Sequence, residues 1–390
     1  MLAPATTVKL SAPSTTLSRE LRLLLACVQT QVDDAVAGQL HNAAQPPLDW
    51  ERVWTLGGHH GLLPLVYWRL VRTSATPPIP DPWRGRLEQA FYHNTARNLQ
   101  LAAQLQLLLA RLHAAGVPAI PLKGADLARR LYGNEALRQS GDLDVLVPAG
   151  RRATAEAEIT ALGYRTRRTP HGWVQQQNSR HDSFFRPEHG ILLELHWNLT
   201  SAHQAVALDT AAIWARTQDD HFDGAPCRRL ADADLALFLC LHGSKHHWSH
   251  LRWLADVALL TQQRTVDWEA LLAQCAHTGC SRMLLLQTRL LATLCGLPAP
   301  PALDAAAAAD RRLPGLVDRI VAYVEAPDRY LRANSLQLMA LDASLRERPG
   351  DRLRALAASL TVTVGFHTAQ LLSGARAPQR PAPGADPQDG

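Results

Sequence analysis

Two short acidic segments interrupt a chain whose pattern is otherwise mostly helical, and they constrain its fold more than any other feature. DLDVLVP (142–148) alternates polar and apolar residues, as a strand with one buried face does. ILLELHWNL (191–199), bounded by Gly190, does the same. An apolar run ending in glycine, VPAIPLKG (117–124), reads as a third, buried strand, and ADLARRLYG (125–133) as one or two helical turns. HDSFFRP lies among short strand-like pieces over 165–190, after a helix at 151–164 that Gly163 stops.

Both flanks carry helical periodicity. Leu21, Leu24, Leu25 and Val28 mark a helix from Ser18 to about Leu40, and Asp49 suits the N-cap of another reaching Leu70, with a glycine break at 57–61. A loop over 73–82 precedes a long helix over 83–115, ending at Gly116. After Asp209 the pattern is helical again: a helix capped by Asp232 or Asp234 and ending at Lys245, then 249–263, 267–278, 280–295, 303–325 and 328–373. The Ser/Thr/Pro-rich leader (1–18) and the Pro/Gly-rich tail (374–390) read as disordered. The expected organisation is therefore α+β: a helical region at 19–116, a core with a small mixed sheet at 117–208, and a helical domain at 209–373.

In a strand, side chains two apart share a face, so Asp142 and Asp144 project together, and so do Glu194 and His196. Neighbouring carboxylates repel unless a cation lies between them. Mg²⁺, or Mn²⁺ in its place, takes hard oxygen ligands, commonly one or two carboxylates plus substrate phosphates. Side-by-side strands would bring Glu194 to the aspartates, and three carboxylates can hold two metal ions. The plainer alternative is that Asp142 ends a loop and Glu194 is a solvated strand residue.

Composition bears on the partners. Hydrophobic residues make up 47% and charged residues 19%, as in globular proteins. A net charge of +5 without a clustered basic tract suits an anionic small substrate and makes long nucleic acid an unlikely partner. Six scattered cysteines without a C-x-x-C pair argue against a zinc ribbon or a disulfide framework. No signal-peptide core and no apolar run of membrane-spanning length is visible, so the cytoplasm is the expected compartment. Of 40 basic residues three are lysines, and two of these, Lys123 and Lys245, fall inside the motifs described here. Such retention is expected where a compact ammonium meets phosphate, although chance survival is a simple alternative.

Lys123 and Gly124 sit where a strand turns into a helix, an arrangement that lets backbone amides approach a phosphate. Arg138, four residues before Asp142, has the planar fork that grips phosphate oxygens, although ordinary loop arginines look the same. In LHGSKHHWSHLRWLADV, His242, Lys245 and His246 fall at i, i+3 and i+4 on one helical face, with Ser249 continuing the stripe. That face could line a nucleotide site, hold zinc through the two histidines, or simply be solvated. His181 and His196 are further candidates near the sheet. Asp256 reads as a structural partner of Arg252 or Lys245, and the run Arg165, Arg167, Arg168 as exposed basic surface.

The run IPLKGADLARRLYGNEALRQSGDLDVLVP resembles the core of the uncharacterised nucleotidyltransferase family, which is related to the DNA-polymerase-beta-like transferases. The resemblance extends through ILLELHWNLT and LCLHGSKHHWSHLRWLADVALL, over roughly residues 48–295. It implies a nucleotidyltransferase fold in which Gly124 matches the loop glycine, Asp142 and Asp144 the paired aspartates, and Glu194 the third carboxylate. Lys-Gly-Ala stands where that superfamily has Gly-Ser, and the spacing from Gly124 to Asp142 is long. The activity implied is transfer of a nucleoside monophosphate from an NTP, expected to be ATP, to a hydroxyl or phosphate of an unidentified small-molecule or peptide acceptor, releasing pyrophosphate. Two alternatives stay open: a non-catalytic nucleotide-binding accessory, and transfer of the terminal phosphate.

Overall fold

The computed structural model describes residues 17–28, 34–72, 79–166, 180–201 and 204–360. The expectations for most of the leader, for the tail and for Arg167 and Arg168 lie outside these residues. The N-terminal helices are α1 (Arg19–Val28), α2 (Asp34–Ala44), α3 (Trp50–His60), α4 (Leu63–Arg72) and α5 (Asp81–Ala114). Asp49 caps α3 as expected, its carboxylate accepting from the Arg52 amide at 3.0 Å. Within the helix expected from Ser18 to Leu40, residues 19–28 and 34–40 are helical, in α1 and α2, and 29–33 lie outside the described residues.

A five-stranded mixed sheet follows, built from β1 (Ile120–Pro121), β2 (Asp142–Leu146), β3 (Arg165–Thr166), β4 (His181–Arg186) and β5 (Ile191–His196). Its order is β1-β2-β5-β4-β3. β2 and β5 run parallel at the centre, and the other pairings are antiparallel. Of the run expected as a strand over 117–124, only two residues pair; Lys123 and Gly124 already belong to the turn into α6 (Gly124–Leu127).

One face of the sheet is apolar. Leu143 and Val145 of β2 and Ile191, Leu193 and Leu195 of β5 are buried against Leu101, Leu105, Leu108 and Leu112 of α5, with Ile159 of α7 (Arg152–Ala161) in the same cluster. At roughly 1.5–3 kcal/mol per buried aliphatic side chain, this layer fixes strand register, since a one-residue slip would bury the carboxylates and expose the leucines.

After α8 (Thr210–Arg216) the chain forms a hairpin that corrects the all-helical expectation beyond Asp209: β6 (Gln218–Phe222) and β7 (Ala225–Arg229) pair across Asp223–Gly224. Both turn residues have positive φ, 49° and 78°, the geometry a two-residue hairpin favours. Phe222, Ala225 and Cys227 join the core beneath the sheet. Then come α9 (Asp232–Lys245), α10 (Leu251–Gln263), α11 (Trp268–Thr278), α12 (Ser281–Cys295), α13 (Pro301–Ala309), α14 (Leu313–Glu325), α15 (Pro327–Leu331) and α16 (Ser335–Ser344), and the chain is helical again from 349. The continuous helices expected over 303–325 and 328–373 are thus broken, the first at 310–312. Among the described residues no helix is long and apolar enough to cross a membrane. The six cysteines are buried.

Candidate active site

The polar face of the sheet forms the floor of a cavity of about 240 Å³, walled by the end of α9 and the start of α10. Register assembles the floor. Asp144 of β2 lies opposite Glu194 of β5, and His196 of β5 lies opposite His181 of β4. By strand alternation, Asp142, Asp144, Glu194, His196 and His181 therefore share the face away from α5.

Asp142 makes no hydrogen bond or salt bridge among the described residues and lines the cavity. Burial and the neighbouring Asp144 charge push its carboxyl up to about 6. Asp144 is buried and engaged on both oxygens: Lys123 Nζ stands 3.0 Å from Oδ2 and His196 Nε2 3.0 Å from Oδ1. The lysine contact is a close ion pair between two buried groups, so Oδ2 already faces a positive charge. Burial acts to raise Asp144, but Lys123 and His196 overcome it and hold the carboxyl well below the usual range. Glu194 is lowered to about 2; burial opposes this, and the pairing with His196, whose Nε2 stands 3.3 Å from Oε2, outweighs it. Burial likewise acts to lower both Lys123 and His196, and the surrounding carboxylates reverse it, so both are raised.

The opposite wall carries the expected His242, Lys245 and His246, all lining the cavity. Burial, then the Lys123 charge for His242 and the Lys245 charge for His246, lower these imidazoles well below their ordinary value. They are neutral aromatic donors rather than cations. His246 stacks on Trp253 with ring centroids 4.8 Å apart, and His242 meets the same indole edge-on at 5.5 Å. Ser249 does not continue the stripe, because α9 ends at Lys245 and His247 and Trp248 take positive φ of 53° and 45°.

Three sequence assignments change. Arg138 lines the cavity, but its fork is bidentate with buried Asp256, 2.9 Å for each bond, and Nη1 donates to Ser140 Oγ at 3.1 Å. It braces the wall instead of offering that fork to a phosphate. Asp256 is accordingly the partner of Arg138 and of the Tyr132 hydroxyl (2.8 Å), not of Arg252 or Lys245. Gly124 does not line the cavity: at φ +65° it is a tight turn, where a Cβ would stand 3.6 Å from the Asp142 carbonyl oxygen. Helical backbone continues behind it from α6 through a π-helical turn over Ala128–Tyr132, which Gly133 ends at φ 65°.

Arg252 was missed. It projects into the cavity without a hydrogen bond or salt bridge among the described residues, as does Lys245. Burial lowers both. Neither cation has a salt bridge among the described residues; the Arg252 guanidinium lies 5.7 Å from the Trp253 ring centroid, and the cavity carboxylates offset part of the burial cost of both. Position relative to Asp256 suggested an i, i+4 pair for Arg252; no periodicity crosses the left-handed turn to link it to Lys245.

A family model described as an uncharacterised nucleotidyltransferase matches residues 46–296, a span that holds every residue of this site. The chain belongs to that family. No curated protein and no solved structure matches it. In this family member the α+β fold, with its mixed sheet and flanking helices, is the one the resemblance implied. The donor set suits divalent metal: the carboxylates of Asp142, Asp144 and Glu194 offer hard oxygen ligands on one sheet face, and that of Asp142 has no hydrogen bond or salt bridge among the described residues. Among the described residues, however, the tightest group of candidate ligands is His181, Glu194 and His196, whose donor atoms lie within 4.8 Å of one another.

Proposed function

We propose that this nucleotidyltransferase moves a nucleoside monophosphate from an NTP, with ATP the first candidate, to an acceptor hydroxyl or phosphate and releases pyrophosphate. The observation that carries the reading is the in-register set Asp142, Asp144 and Glu194 on one sheet face, opposite unpaired Lys245 and Arg252 across one cavity. The carboxylates would hold Mg²⁺ or Mn²⁺, which when bound supplies charge neutralisation at the triphosphate. Lys245 and Arg252 would take the phosphate oxygens, a role first expected of Arg138. Trp253, His242 and His246 offer an apolar aromatic wall beside them.

In the reaction the acceptor oxygen bonds to the α-phosphorus, and the bond from that phosphorus to the oxygen bridging to the β-phosphate breaks. Pyrophosphate leaves with that oxygen. Glu194 Oε2 is held in an ion pair 3.3 Å from His196 Nε2, which makes it a poorer acceptor for the proton of the attacking hydroxyl. Asp142 is the carboxylate without a hydrogen-bond partner, and we assign the proton to it.

The test uses ATP labelled on the α- or the γ-phosphate, with Mg²⁺ and a broad acceptor set. Transfer of α-label with pyrophosphate release is expected, falling about 100-fold or more in Asp142→Asn and Asp144→Asn. Turnover equal to that of the parent would remove the assignment, and transfer of γ-label alone would make the protein a phosphotransferase. A non-catalytic nucleotide-binding role has one observation in its favour: Lys123 and His196 already neutralise Asp144 without a metal. Nucleotide binding with no product across the acceptors would establish it. We retain, as parts of this proposal, a cytoplasmic setting and the division into a helical region, a sheet core from 117 and a third region from 209 that is helical apart from the β6–β7 hairpin, which packs into the sheet core.

A further inference from the structure

Beside the aspartate pair, the sheet carries nitrogen donors that nucleotidyl transfer by hard oxygen ligands does not need. His181 and His196 face each other across β4 and β5, with ring centroids 4.9 Å apart. Glu194 precedes His196 by two positions on the same strand face and reaches both. Its Oε1 stands 3.6 Å from His181 Nε2, and its Oε2 3.3 Å from His196 Nε2. Metal–nitrogen and metal–oxygen bonds of about 2.0–2.2 Å place adjacent ligands roughly 2.9–3.5 Å apart in octahedral or tetrahedral geometry. The carboxylate-to-imidazole spacings therefore need shifts of no more than a few tenths of an ångström. The side chains are mostly buried, 10% exposed for His181, 13% for His196 and 23% for Glu194, yet all three line the open cavity, which leaves room for water or substrate oxygen.

The chemistry of the set distinguishes among ions. Mg²⁺ takes oxygen ligands and dehydrates reluctantly, whereas imidazole suits zinc and its first-row neighbours. Two imidazoles and one carboxylate, with a position left for water, form a ligand set that zinc accepts in catalytic sites. Asp144 Oδ1, 3.0 Å from His196 Nε2, joins this group to the aspartate pair without belonging to it.

We propose that His181, His196 and Glu194 form a binding site for a first-row transition-metal dication of the zinc class, next to the Asp142–Asp144 pair. The site goes beyond the nucleotidyl-transfer reading and stands even in a protein that binds nucleotide without turnover. Glu194 is shared, so a metal here fixes the orientation of the third carboxylate and occupies the place where His196 otherwise neutralises it.

Cobalt(II) serves as the probe, because nitrogen ligation gives it visible d–d bands. Titration of metal-free full-length protein with CoCl₂ is expected to raise such a band, saturating at one equivalent and persisting in a tenfold excess of Mg²⁺. His181→Gln should weaken cobalt binding at least tenfold with an unchanged circular-dichroism spectrum, while Asp142→Asn should leave the band in place. X-ray absorption of the zinc-loaded parent should count two imidazole nitrogens, a readout that requires no variant to fold. Absence of a protein-dependent band, displacement of cobalt by Mg²⁺, or zinc in an all-oxygen shell would each overturn the site. A lost band with nucleotidyl transfer intact sinks this proposal alone; an intact band with no transfer sinks only the catalytic reading.

Discussion

At the scale of single residues, the cavity wall rests on one buried ion pair. Arg138 is 5% exposed, and Asp256 1% as a side chain; their contact is bidentate, with Tyr132 as a further donor to the carboxylate. Such a pair adds little net stability over a well-packed apolar replacement, but removing one member strands a desolvated charge. Asp256→Ala should therefore lose about 3–5 kcal/mol in urea unfolding. The double variant Arg138→Met/Asp256→Leu should recover most of that loss. Additive losses would show that the pair does not act as a unit. The sequence pointed to Asp256 as a structural partner but not to its mate, since Arg138 lies 118 positions away, in a loop. By contrast, the shared face of Glu194 and His196 was legible, because strand alternation alone sets it.

At the scale of elements, the sharp junction between α9 and α10 decides where Lys245, His246 and Arg252 point. It depends on Gly243, which gives Trp248 room to fold back over the helix end. A Cβ at that position would stand 2.4 Å from Trp248 Nε1, and the indole is wholly buried. Overpacking of this kind costs about 1–3 kcal/mol. Gly243→Ala should lower the melting temperature measurably and weaken nucleotide binding, as read by calorimetric titration, whereas Gly85→Ala, with nothing within 4 Å of the added methyl, should do neither. Unchanged binding in Gly243→Ala would show that the junction does not position the wall. The helices on either side were readable from periodicity, but the left-handed residues His247 and Trp248 were not, since positive φ is uncommon outside glycine, even for histidine, and rarer still for a bulky tryptophan. The β6–β7 hairpin is a different kind of omission. Asp-Gly is a strong two-residue turn signal, and helical expectation after Asp209 overrode it.

At the scale of the whole molecule, His60 joins distant parts of the chain. Wholly buried at the end of α3, it bonds the Val324 carbonyl of α14 through Nε2 at 3.0 Å and accepts from the Leu251 amide of α10 through Nδ1 at 3.4 Å. One nitrogen must donate and the other accept, so only the neutral ring fits. Burial, with the adjacent His59 charge, lowers the imidazole from 6.5 to about 3. The unfolded chain takes up this proton below about 6.5 and the folded chain does not until about 3. Stability is therefore fully present above 6.5 and falls as pH drops from 6.5 towards 3. Urea midpoints at pH 7.5, 6 and 5 should decline in that order, with a shallower decline in His60→Gln. A parallel decline in both proteins would assign the acid sensitivity to other groups.

The sequence by itself determined the strands that bear the carboxylates, the face on which each carboxylate lies, and most helix starts and stops, because these follow from alternation, periodicity and capping within a few residues. It also carried the family resemblance that the match over residues 46–296 bears out. Tertiary structure alone decided that β2 and β5 lie side by side with Asp144 opposite Glu194, that Arg138 is consumed by Asp256, and that Arg252 and His181 turn towards the same cavity. Those outcomes depend on which surfaces bury one another across dozens to more than a hundred positions of chain. Such pairing leaves no local periodic trace, so only the packed fold reveals it.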